Sequence, residues 1–131
     1  WYAAAALATA GIEVGHHLRR EAVATGVAEI RRQYRCYSAR LEGEYLDIRG
    51  QQASRPEVYT SGSYAASQRL GEAVRAAGGA GILYDSLRHA GGVNVVAHRP
   101  RNILSVAQAD HFEVAVTAAA RTIGMRRLAA T

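Results

Sequence analysis

From Leu7 to about Ala24, the apolar and small positions Leu7, Ala10, Gly11, Val14 and Leu18 recur at spacings of three and four, which predicts a helix burying one stripe. Trp1 to Ala4 is too short for a helical period and reads as the end of a strand. Between Gly26 and Arg49 the period changes to a rough alternation of β-branched and aromatic residues, punctuated by Gly43 and Gly50. Two strands are expected there, the second at Tyr45 to Ile48. Gln51 to Gly62 has no period and carries Ser54, Pro56, Ser61 and Gly62, so it reads as a surface loop. Ser63 can then cap a second helix whose buried stripe is Ala66, Leu70, Ala73, Val74 and Ala77, with Gly78-Gly79 as its stop.

Two short apolar runs follow, Gly81 to Tyr84 and Val93 to Ala97, separated by the polar stretch Asp85 to Gly92, and both read as buried strands. Pro100 ends the second run. Alternating segments at Phe112 to Thr117 and Ile123 to Leu128 complete the chain. The order of strand, helix, strands, helix, strands has no regular βα alternation and no internal repeat, which argues against a doubly wound parallel sheet. The expected fold class is α+β, a single compact domain with two main helices.

Composition narrows this picture. A length of 131 residues suits one core, and 49% hydrophobic with 21% charged residues excludes wholesale disorder and a fibrous fold. No apolar run reaches the roughly 18 residues that span a bilayer. Cys36 is alone and no secretory signal is visible, so a cytoplasmic location without membrane association is expected. The chain opens at Trp1 directly into an apolar segment, from which an N-terminal segment ahead of Trp1 is expected. The net charge is +5 and all sixteen basic residues are arginine, whose planar forks match anions in two-pronged geometry. Nucleic-acid binding would need a basic stripe interleaved with aromatics, and only Arg31 to Tyr37 (RRQYRCY) has one; a solvated strand face explains it equally well.

Glu13, His16, His17 and Arg20 share one side of the first helix, flanking its stripe. The ExxHH run matches neither the HExxH nor the HxxEH zinc pattern and no second cluster completes it, so no metal is expected. At Tyr84 to His89 a buried strand opens into a polar turn. There Ser86, beside Arg88, Gly91 and Gly92, could offer its hydroxyl and nearby amides to an anionic or amide-bearing ligand, or could simply make the turn with Asp85. Leu83 and Arg88 stand where the GxSxG elbow of hydrolases has glycines, which disfavours a serine nucleophile.

The stretch from Ser63 to Pro100, SYAASQRLGEAVRAAGGAGILYDSLRHAGGVNVVAHRP, with its SQ helix start, GI.YxSxR run, GG turn and closing RP, resembles the RES domain. The opening WYAAAALATAGIEVGHH resembles the other half of that pattern. The resemblance implies an ADP-ribosyltransferase-like mixed-sheet fold and an NAD-consuming toxin of a bacterial toxin–antitoxin pair. Such a protein would cleave the nicotinamide–ribose bond by hydrolysis, phosphorolysis or ADP-ribosyl transfer. It also implies Glu13, Tyr2 and Ser86 as the site, with Tyr2, Ser86 and the auxiliary Arg88 holding NAD. The family's name-giving arginine would precede the tyrosine, ahead of Trp1. Expected partners are an antitoxin with a helix-turn-helix DNA-binding domain and further copies of the chain, without direct nucleic-acid binding by the chain itself. An arginine-rich RNA- or DNA-binding or RNA-cleaving toxin, and a catalytically inactive interaction domain, are the alternatives.

Overall fold

Gly11, Gly15, Leu18 and Ala22 repeat at helical spacing, and in the computed structural model, which describes residues 1–129, they lie on one buried side of helix α1 (Leu7–Thr25), while Thr9 is buried on the opposite side. The sequence pattern differs at its start, because Leu7 is 46% exposed while the next-but-one residue, Thr9, is buried. Thr9 instead meets the polar segment Asp85 to Gly92, its hydroxyl 2.9 Å from His89 Nδ1. Gly26 ends α1 in the left-handed conformation at φ 71°, and its amide returns to the carbonyls of Ala22 and Val23.

The strands form two sheets. The first has the order β1 (Tyr2–Ala4), β5 (Val93–Ala97), β4 (Gly81–Asp85), β3 (Tyr45–Asp47), antiparallel except for the parallel β3–β4 pair. The second is antiparallel, in the order β2 (Glu29–Leu41), β6 (Ile103–Thr117), β7 (Ile123–Arg127). Together with two helices this is the expected α+β class. Helix α1 packs on the second sheet, where Leu18, Val114 and Val116 form a buried cluster flanked by Val14, Ile30, Tyr34 and Ile123. Gly15 permits that closeness: a Cβ there would meet the Ile123 side chain at 2.5 to 2.9 Å.

Two expectations are corrected. Strand β6 begins at Ile103, nine residues before the alternation at Phe112, because residues 105–111 are exposed and its pairing with β2 shifts register twice, so burial imposes no pattern there. Helix α2 (Ala65–Ala76) stops near Gly78 as expected, but none of its residues is buried: Ala66, Leu70 and Val74 are half-covered, and Ala73 and Ala77 are exposed. Ser63 is not the residue flanking the helix either; Tyr64 is, while the Ser63 hydroxyl accepts the Ala65 amide at 3.2 Å. The stripe stays open because α2 stands across a cleft from the first sheet, so Leu70 and Gly71 look into the cleft instead of onto a sheet face. No helix among the described residues is long and apolar enough to cross a membrane.

Candidate active site

Alternation places Tyr2 of β1, Asn94 and Val96 of β5, and Ile82 and Tyr84 of β4 on one face of the first sheet, and all five line the cleft. Its volume is about 860 Å³, within the range that holds a cofactor-sized ligand. Helix α1 contributes Glu13 and His17 to the wall, α2 contributes Leu70 and Arg75, and the loop before α2 contributes Val58 to Ser61.

Glu13 projects from the side of α1 opposite its packed glycines. Its Oε1 accepts two hydrogen bonds, from Ser86 Oγ at 2.5 Å and from Asn94 Nδ2 at 2.8 Å. Glu13 and Ser86, 73 residues apart in sequence, therefore meet directly. Ser86 is 6% exposed, and its hydroxyl oxygen also accepts the backbone amides of Arg88 at 3.2 Å and His89 at 3.0 Å. A hydroxyl has one proton to donate and two lone pairs to accept with, so Ser86 is fully committed within the protein. The sequence reading has Ser86 holding a ligand phosphate or carboxamide; in the structure this serine holds the Glu13 carboxylate. The turn around it is closed by Ser86 N to Gly92 O and Gly92 N to His89 O, both 2.9 Å, and is pinned to α1 by Thr9 Oγ1 against His89 Nδ1 at 2.9 Å.

Tyr2 stands at the rim, 80% exposed. Burial, reinforced by the neighbouring Tyr2, Glu13 and Tyr59, pushes the Tyr84 hydroxyl up to about 12, so it remains a proton donor inside the cleft at neutral pH. Arg88 lines the cleft, and its Nε is buried without a partner among the described residues. Tyr59 fastens the opposite wall. Its hydroxyl donates to Ile48 O at 2.9 Å and accepts the Asp85 amide at 3.2 Å, while Asp85 Oδ2 accepts the Gly50 amide at 2.7 Å.

The ExxHH run divides. His17 faces the cleft, whereas His16 turns inward, its protonation disfavoured by burial first and then by Arg88, His17 and Arg20. Among the described residues no group of three or more His, Cys, Asp or Glu could hold a metal. Burial and then Arg75 lower His98 in the same direction. Both groups bind protons more weakly folded than unfolded, so below 6.5 the unfolded chain takes up more protons and stability is lost as pH falls; above 6.5 the contribution is fully present. Urea midpoints measured between about pH 5.5 and 7.5 are expected to rise with pH and level off, and substituting His16 by Gln should flatten the rise.

Arg31 to Tyr37 lies on β2 and takes no part in the cleft. Arg31 pairs with Glu29 at 2.6 Å, and Arg32 makes a two-pronged pair with Glu21 at 2.7 and 2.9 Å. Arg35 Nε donates to His111 at 3.2 Å. Two of the three arginines in the stripe are thus paired with carboxylates, which weakens the nucleic-acid alternative. Sequence reasoning missed Asn94, Tyr59 and the state of Tyr84. The available signal for Asn94 was one amide inside the apolar run Val93 to Ala97.

The RES domain family model matches residues 1–117, from the strand bearing Tyr2 through the whole cleft to the end of β6. The chain belongs to the RES domain family. Tyr2, Glu13, Ser86 and Arg88 all fall within the matched RES region, and among the described residues β7 is the one strand beyond it. No curated protein is significantly similar to the chain.

Proposed function

We propose that this RES domain binds NAD in the cleft and breaks its nicotinamide–ribose bond. The observation that carries the reading is the Glu13 carboxylate on the cleft wall, with Oε1 held by two donors and Oε2 free of any hydrogen bond among the described residues. In this reaction the bond between ribose C1′ and the pyridinium nitrogen breaks and its electron pair leaves with nicotinamide, which departs neutral. Positive charge grows on C1′ and the ring oxygen, and a carboxylate already fixed beside the ribose stabilises it without reorganising. An acceptor oxygen then bonds to C1′ and its proton passes to solvent.

The other residues fit separate parts of the substrate. Tyr2 offers an aromatic face to the nicotinamide ring, and the protonated Tyr84 can donate to a ribose hydroxyl. Arg88 supplies a charged fork for the diphosphate. Such an enzyme, free in a cytoplasm, would exhaust its host's NAD. The toxin reading therefore pairs it with an antitoxin, carrying a helix-turn-helix domain, that covers the cleft, and with self-association of the chain.

Incubation with NAD followed by chromatography is expected to show free nicotinamide. Parallel reactions with water alone, with inorganic phosphate and with a candidate acceptor protein assign the fate of ADP-ribose. Intact NAD under all three conditions would remove the enzyme reading and leave the inactive interaction domain in its place.

A further inference from the structure

Strand β5 is Val93-Asn94-Val95-Val96-Ala97, and Asn94 is its only polar side chain. It is 7% exposed and lies in register between Ala4 of β1 and Tyr84 of β4, at the centre of the sheet face that floors the cleft. An apolar residue would be accommodated in such a strand without needing a partner, whereas a buried amide is costly unless it is hydrogen-bonded. The partner is Glu13 Oε1, 81 residues away in sequence, at 2.8 Å. Ser86 donates to the same oxygen from the turn after β4. One donor would leave the carboxylate free to swing about that contact. Two donors on one oxygen, arriving from different elements, fix its position and its rotation, and the second oxygen is left over for the cleft.

We infer that Asn94 is a positioning residue, which turns the Glu13 carboxylate so that Oε2 faces the substrate. The inference rests on Glu13 serving NAD cleavage as proposed above, but the contact itself does not. Asn94 acts through Glu13 and contributes to the chemical step. Tyr84 and Tyr2, which share its sheet face, are left to contact the ligand.

The test has two arms. In the first, Asn94→Leu is expected to lower kcat about 10- to 100-fold with KM changed less than about twofold, because a carboxylate displaced by a fraction of an ångström still admits substrate. In a Glu13→Gln background the same substitution should cost almost nothing further. A rise in KM with kcat preserved, or fully additive losses in the double variant, would show that Asn94 touches substrate directly and would overturn the inference. The second arm needs no NAD. In nitrogen–proton NMR spectra of the whole chain, one side-chain amide proton of Asn94 should resonate downfield as a donor to a carboxylate and move upfield in Glu13→Gln. An Asn94 amide signal indifferent to Glu13→Gln would refute the contact even if Asn94→Leu fails to fold. A responsive signal in a protein that leaves NAD intact would instead retain the contact and reject the NAD reading.

Discussion

Glu13→Gln is expected to reduce NAD cleavage by about 10²- to 10³-fold, the scale on which a single preorganised electrostatic group acts on a transition state. The fold should survive. Glutamine has the same shape, its carbonyl oxygen can still accept from Ser86 and Asn94, and replacing two charge-assisted hydrogen bonds by neutral ones costs about 1 to 2 kcal/mol. Helix α1 itself is held elsewhere, by Gly11, Gly15, Leu18 and Ala22 on its opposite side. Calorimetry and nicotinamide release measured on the same preparation separate the two effects. A well-folded Glu13→Gln protein with full turnover would show that the carboxylate is incidental to the reaction.

That separation between one face of α1 and the other was partly legible in the chain. The spacing of Gly11, Val14 and Leu18 points to a buried side, and Glu13 necessarily falls away from it. Periodicity reports which residues share a side, however, and not what lies against that side. Helix α2 has as clear a pattern as α1, yet none of its residues is buried, and the face it turns to the cleft carries Ser67, Gln68, Glu72 and Arg75 beside Leu70, so the pattern that elsewhere means core here does not. The early part of β6 failed for the opposite reason: with both faces in solvent, nothing selects an alternation.

The site was legible to the extent that its chemistry is local. Glu13 and Ser86 stand in recognisable motifs, whereas the contact between them closes over 73 residues and depends on how α1 lies against the first sheet. The same limit applies to the arginines. RRQYRCY reads as basic because the acids that neutralise it are remote or across a strand pair: Glu21 comes from α1 and Glu113 from β6, while only Glu29 is a near neighbour in sequence. A charge stripe is a property of a surface, and the surface is assembled by the fold.

Ser86 gives the sharpest consequence of that assembly. Its motif position suggests a ligand-holding hydroxyl, but its three hydrogen-bonding capacities are already taken by Glu13, Arg88 N and His89 N. A residue gripping substrate would, when removed, raise KM. A residue gripping the carboxylate should leave KM nearly unchanged and lower kcat. Ser86→Ala is therefore expected to reduce kcat about 10- to 100-fold at near-constant KM. It should also cost about 1 to 3 kcal/mol of stability, because two partly buried backbone amides lose their acceptor in the turn that connects β4 to β5. Threonine keeps the hydroxyl and should recover both quantities in part if its extra methyl is accommodated, whereas Cys, a weaker donor and acceptor with a longer bond, should recover little. Steady-state kinetics and urea unfolding of the three variants decide between the roles. A large increase in KM for Ser86→Ala with kcat and stability preserved would return Ser86 to the substrate and would require the turn amides to find other partners.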